Sequence, residues 1–265
     1  MNKRISEQST MQYSYPKLVM SLLAGTFLLS GCATNGERYD PLEPMNRGIY
    51  HFNDAVDKAV LKPVAHGYKA VVPDPVRTSV GNFFSNLDDV IVIANDLLQF
   101  KFHQAASDTT RLVFNSTFGV LGLFDVATGW DLPKHDEDFG QTLGYWGIGN
   151  GPYLVLPILG PSTLRDTIGR SADSHVDPIW QHNDVPQRNS AAGINLVDTR
   201  ARLLKVEKVV DDAALDKYIF IREGYLQKRR SLVYDGNPPR EKLEDYDDEP
   251  VKSEKAIPAD KATTP

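Results

Sequence analysis

Nucleophilic, metal and phosphate chemistry each require particular residue types at particular spacings, and this chain approaches several such patterns without completing one. Ser162, in Gly160-Pro161-Ser162-Thr163-Leu164, comes nearest to a Gly-x-Ser-x-Gly nucleophile turn, but the pattern is not met. A serine just before a helical run fits a helix cap better. The six histidines (His51, His66, His103, His135, His175, His182) form no close ligand pair. His175 and His182 lie seven apart, yet Pro178 between them breaks the helix that would align them. His135-Asp136-Glu137-Asp138 concentrates charge without the evenly spaced oxygens of a hard-cation loop, so a solvated acidic loop is expected there. Gly147-Ile148-Gly149-Asn150-Gly151 looks like a phosphate loop, but Pro152 and an apolar run follow where a lysine and a helix start belong. These residues predict no enzyme, no bound metal and no cofactor.

The single cysteine excludes an internal disulfide, and its flanks give it another role. Lys3, Arg4 and Lys17 precede an apolar run, Leu18–Leu29, that ends in Leu29-Ser30-Gly31-Cys32. A basic head, a short apolar segment and small residues describe a signal peptide, and the run is too short for a mature span. The tetrapeptide resembles the lipobox of bacterial lipoproteins, whose cleavage leaves Cys32 as the acylated first residue. Met11 is an alternative start. Ala33 in place of Asp after the cysteine matches the sorting pattern for the outer membrane. A net charge of −6 supplies no basic field for nucleic acid.

The elements behind these residues read as helices. Residues 32–39 form a tether. Asp40-Pro41-Leu42-Glu43 then reads as a capping box with proline at the first helical position. Met45, Ile49, Phe52, Val56 and Val60 give an apolar stripe that Pro63 ends. Asp74-Pro75 repeats the device before a helix over 76–86. Leu87–Phe100 is a further helix, with 87/90/91/94/97/98 as its apolar set, and 105–114 another. The uncharged segment Leu112–Phe124, with Gly119 and Gly122, suits either a re-entrant or interfacial segment or a buried, closely packed helix. Ser162 caps a helix to about Ser171. Amphipathic helices follow over 191–207 and 211–231, and 236–265 reads as a disordered charged tail.

Phe139–Leu164 breaks this pattern. Its 26 residues are uncharged and twelve are apolar or aromatic, yet six glycines and three prolines deny it a regular spanning helix. Such a segment must satisfy its backbone in a protein core or along a polar cavity at membrane depth. Strand signals are few and lack hairpin turns, so the fold class is mainly α with irregular Gly/Pro-rich apolar segments.

The residues also resemble one family. Asp40-Pro41-Leu42-Glu43, Asn46-Arg47 and Phe52-Asn53 are similar to the opening signature of the MlaA (VacJ) lipoproteins. Gly144 to Tyr153, with Leu156-Pro157, Gly160 and Thr163-Leu164-Arg165-Asp166, resembles that family's central block, and Asp216 to Tyr225 its last helical motif. The resemblance implies a helical domain over 40–235, following a signal peptide over 1–31. Its fold would be a ring-like helical assembly seated in the inner leaflet of the outer membrane, beside trimeric porins of the OmpC/OmpF type. It also implies a lipid-anchored protein on the periplasmic side of a Gram-negative bacterium's outer membrane. Such a protein removes mislocalised glycerophospholipids from the outer leaflet and hands them to a periplasmic carrier of the MlaC type. The candidate lipid path or gate comprises Phe52, Asn53, Tyr145, Trp146, Gly147, Gly149, Gly151 and Tyr153, with Cys32 as the lipidation site. The alternatives are a lipoprotein that braces a porin without moving lipid, and a periplasmic phospholipase.

Overall fold

The computed structural model describes residues 40–240. The expected signal peptide, Cys32, the tether and the tail from 241 lie outside the described residues. Among the described residues eight α-helices and one β-hairpin make up the architecture: α1 (Glu43–Val56), α2 (Lys62–Val71), α3 (Asp74–Leu98), α4 (Phe102–Thr117), α5 (Phe139–Tyr145), β1 (Tyr153–Leu156), β2 (Gly160–Thr163), α6 (Leu164–Asp173), α7 (Val185–Ala213) and α8 (Lys217–Val233). Their packing closes a circuit. From α1 the chain leads into α2, which packs on α7; α7 touches α3, α3 touches α5, α5 touches α8, α8 meets β2, and β1 returns to α1.

Several boundaries differ from the sequence reading. Pro63 does not end the first helix. One turn of π-helix, Asp57–Leu61, joins α1 to α2, and the Lys62 amide bonds back to the Asp57 carbonyl. Widening the ladder just ahead of Pro63 accommodates a residue with no N–H and a ring that crowds the preceding turn. The two helices expected over 76–100 are one, α3, which ends on Phe100 in the left-handed region while Lys101 N–H closes on the Asp96 carbonyl at 2.9 Å. Asp40 does not cap α1: Leu42 is the N-cap and carries no side-chain cap bond, and Asp40 only accepts from Leu42 N–H at 3.0 Å ahead of the helix. The proline of the first turn is Pro44 rather than Pro41, and Glu43 pairs with Arg47 rather than reaching back as in a capping box. Thr163, not Ser162, caps α6 by accepting from Asp166 N–H.

The central stretch contains the hairpin that the sequence did not announce. Tyr153 pairs with Thr163 and Leu156 with Gly160, around a turn at Pro157-Ile158-Leu159. That turn lacks the Asn-Gly type of signal; Ile158 takes the positive φ itself, at 67°. Thr117 to Phe124 resolves the other open question. It is no helix beyond Thr117 but a set of tight turns, with Val120, Leu121 and Gly122 in succession at positive φ. Two non-glycine residues there, one β-branched, store backbone strain that the surrounding bonds must hold.

Candidate functional site

The helices are turned inside out relative to a protein that folds in water. On α3 the buried positions include Asn86, Asp89, Val92, Asn95 and Asp96, whereas Leu97, Leu98 and Phe100 point outward. The apolar set 87/90/91/94/97/98 forms one helical face as its period predicts, and that face stays partly or fully exposed. On α1 and the π-turn after it the Met45–Phe52–Val60 stripe is likewise exposed, and Asn46 is fully buried. Twenty polar or charged side chains are buried among the described residues against eight hydrophobic ones, so polar groups form most of the interior. Phe102, Phe118, Leu121, Phe124 and Trp130 remain exposed, with Trp130 packed edge-on against Phe114. So extended an apolar exterior over a polar interior is stable only where the outside is not water.

Three polar assemblies hold the interior. In the first, Asn46 and Asn53, seven residues apart on α1, pair with the free edge of the hairpin. Asn46 donates to the Tyr153 carbonyl at 2.9 Å and accepts from Val155 N–H at 2.9 Å. Asn53 donates to the Leu156 carbonyl at 2.9 Å and accepts from Ile158 N–H at 2.8 Å. Seven helical residues rise ~10.5 Å and three strand residues ~10 Å, so the two amides match the strand in register. Asn46 also donates to Asp40, whose carboxylate accepts from the Tyr218 hydroxyl of α8. Tyr153, Val155 and Tyr218 form the small apolar cluster behind this clamp. Burial, and then the bond to Asp40, push the Tyr218 hydroxyl up.

In the second, Arg229 of α8 binds Asp138 through both terminal nitrogens, at 2.5 and 2.8 Å, and Asp166 at 2.9 Å. Asp138 caps α5, and Asp166 also accepts from Tyr225 at 2.8 Å. Burial alone would raise both carboxyls. The Arg229 guanidinium outweighs it and holds them below the usual carboxylate range. Gly169 permits this crossing, since a Cβ there would sit 2.4 Å from the Gly140 amide nitrogen.

The third overturns the solvated acidic loop expected over 135–138. His135 bonds to buried Asp108 at 2.9 Å, and Glu137 is buried, accepting from Gln99 and Lys101 at 2.8 Å each. Asp138 belongs to the Arg229 assembly. Glu137 and Asp138 face inward, while Asp136 stays exposed, because Gln99, Lys101 and Gln104 at the α3–α4 corner and Arg229 of α8 converge there, a long-range fact that local composition does not carry. Among the described residues no group of three His, Cys, Asp or Glu side chains is placed to hold a metal ion.

Comparison with known proteins agrees with this architecture. The MlaA lipoprotein family matches residues 38–232. The intermembrane phospholipid transport system lipoprotein MlaA of Escherichia coli (strain K12) is 36% identical over 245 residues, 86% of this chain and 96% of that one. Its namesake in Haemophilus influenzae is 33% identical over 83% of this chain and 92% of its own length. A chain solved in work on the structural basis for maintenance of bacterial outer membrane lipid asymmetry superposes with a TM-score of 0.66 at 33% identity, covering 76% of this chain and all of that one. This chain belongs to the MlaA lipoprotein family.

Within this MlaA-family fold the sequence-predicted residues fall into four groups. Tyr145 and Trp146 end α5 and are half exposed; Trp146 donates its indole N–H to the Leu98 carbonyl at 3.2 Å and stacks edge-on with Phe139. A tryptophan whose N–H is satisfied while its ring stays outside suits a membrane–water boundary. Gly147 and Gly149 sit in open space, and Gly147 and Gly151 take positive φ of 89° and 66°. Tyr153 is buried against Tyr218 and Tyr225. Phe52 is exposed beside Asn53, which holds the hairpin turn. Sequence reasoning missed Asn46 and the Arg229–Asp138–Asp166 assembly. The seven-residue spacing of two asparagines on one helix face was the available signal for the first; the second had none.

Proposed function

We propose that this protein is an outer-membrane lipoprotein that takes up glycerophospholipids misplaced in the outer leaflet and passes them inward, maintaining lipid asymmetry. The observation that carries the reading is the inversion: large apolar side chains face outward while the interior is lined by paired charges and amides. An apolar exterior seats the fold in hydrocarbon. A polar interior gives a headgroup somewhere to go. No described helix is long and apolar enough to cross a membrane, which agrees with seating in one leaflet. The strained turn Phe118–Phe124, with its exposed Leu121 and Phe124, is the element best shaped to enter acyl chains. Lipidated Cys32 tethers the chain to the inner leaflet, a trimeric porin stands beside it, and an MlaC-type periplasmic carrier receives the lipid.

Phe52 and the hairpin tip, Ile158 and Leu159, form the gate in this reading, latched by Asn53. Tyr145 and Trp146 mark the boundary level, and Gly147 and Gly149 leave room for close lipid approach, while Gly151 turns the chain against Leu164. The test is native mass spectrometry of the detergent-extracted protein before and after incubation with labelled phospholipid vesicles. Retained intact phospholipid, altered in Trp146→Ala or on deletion of Phe52-Asn53, supports the path. Protein and porin without lipid would favour a bracing role, and lyso-products a phospholipase.

A further inference from the structure

One seam of the fold joins two recesses that the reading above does not use. On α7, Ser190, Gly193, Ile194, Val197, Asp198, Ala201, Arg202 and Lys205 recur at alternating intervals of three and one, a single helix face about 22 Å long. Its first half, with Tyr68 of α2, walls an apolar groove of about 440 Å³. Its second half, with Lys69 of α2 and Asp74 and Arg77 of α3, walls a recess of about 400 Å³. Tyr68 and Lys69 are chain neighbours, as are Val197 and Asp198, so the recesses adjoin.

The charges in the second recess do not balance. Arg77 is answered by Asp74, and Arg202 by Asp198 at 2.9 Å. Asp198 is further occupied by the Tyr68 hydroxyl at 3.1 Å. Lys69 and Lys205 have no carboxylate partner among the described residues. Gly81 lets Arg202 lie across α3, since a Cβ there would fall 1.1 Å from its terminal nitrogen. Two unanswered ammonium groups with two fixed guanidiniums suit one anion with several acceptor oxygens. An adjoining groove without charge suits an alkyl chain attached to that anion.

We infer that the α2–α7 seam is a glycerophospholipid subsite, with Lys69 and Lys205 holding the headgroup phosphate and the Tyr68–Ile194–Val197 groove holding an acyl chain. This rests on the lipid-carrying reading and adds where, and by which groups, the lipid is held. About 22 Å of seam exceeds the ~15 Å of hydrocarbon in one leaflet, so a head and a chain fit end to end.

The experiment titrates the full lipidated chain in amphipol with dihexanoylphosphatidylglycerol, dihexanoylglycerol and inorganic phosphate. Vesicle-loaded samples are analysed in parallel by native mass spectrometry. Short phospholipid is expected to bind, with Lys69→Ala or Lys205→Ala each weakening it about tenfold, as loss of a charge-assisted contact does. Gly193→Trp, a position where an added Cβ meets nothing, should fill the groove and weaken phospholipid binding while leaving phosphate binding unchanged. Phosphate that binds as tightly as the phospholipid, with Gly193→Trp indifferent, would make this a free-anion site and overturn the lipid assignment. If wild type and the Lys69→Ala/Lys205→Ala double variant retain vesicle lipid and bind short phospholipid equally, the subsite fails and the lipid-carrying reading stands. If neither retains lipid, that reading fails and the subsite with it.

Discussion

The α5–α6–α8 crossing and the α3–α4 interface both bury carboxylates, by opposite means. At the crossing, Asp138 and Asp166 share one guanidinium and are held below their ordinary values. At the interface, neither Asp96 oxygen finds a donor in the structure. Burial first, and then the neighbouring Asp108 carboxylate, raise Asp96 well above the carboxylate range, so it keeps its proton at neutral pH. One region is an ion cluster that acid dismantles; the other is a buried acid whose proton base removes. A polar interior is therefore not uniformly stable. Its parts answer to pH with opposite signs.

The largest way to break the contrast is Arg229→Ala. It strands two buried carboxylates and should cost about 3–5 kcal/mol, read as a fall in thermal midpoint in detergent. Arg229→Lys keeps the charge but loses the two-pronged geometry and should cost clearly less; an equal loss would mean the fork contributes nothing beyond its charge. Asn46→Ala comes next. It leaves the buried Tyr153 carbonyl and Val155 amide without partners, for about 2–3 kcal/mol. Asp96→Asn sharpens the contrast with the opposite sign. A raised folded value means the native state keeps a proton that the unfolded chain releases, so wild-type stability falls as pH climbs from the ordinary carboxylate value towards the raised one. The asparagine variant should lose that slope and gain about 1–2 kcal/mol at pH 8. Asp138 and Asp166 act the other way: their lowered values give stability that is present above the unfolded carboxylate pKa and lost as pH falls through the folded one. Unfolding scans from pH 3 to pH 9 separate the two limbs, and an acid limb that survives in Arg229→Lys at full size would break the assignment. The smallest effect is Asn53→Ala, on the half-buried end of the clamp, at about 0.5–1.5 kcal/mol. Its larger consequence should be functional, a hairpin tip released beside Phe52 and altered lipid retention at near-normal protein level.

Much of the fold was legible. Helix period follows from local chemistry, but the last helix start does not: the sequence reading runs a helix over 211–231, whereas Asp216 accepts from Tyr218 and Ile219 N–H and α8 begins at Lys217. The hairpin was not legible, because its positive-φ position is an isoleucine and its outer edge is satisfied by two asparagines more than a hundred residues away. Of the candidate site, Trp146 and Asn53 could be chosen from motif and residue type. The roles found for them needed the Leu98 carbonyl and the Ile158 amide to be brought alongside.

By itself the sequence determined that the chain is mainly helical, that its helices are two-faced, and which family it belongs to, because period and motif are local properties. Tertiary structure alone decided which face turns inward. An amphipathic period is symmetric between a protein in water and one in hydrocarbon; only the pairing of Asp138 with Arg229, Asn46 with the hairpin and Glu137 with Lys101 puts the polar side inside. Those pairings join residues 36 to 109 positions apart, and each buried charge is tolerable only once its distant partner has arrived.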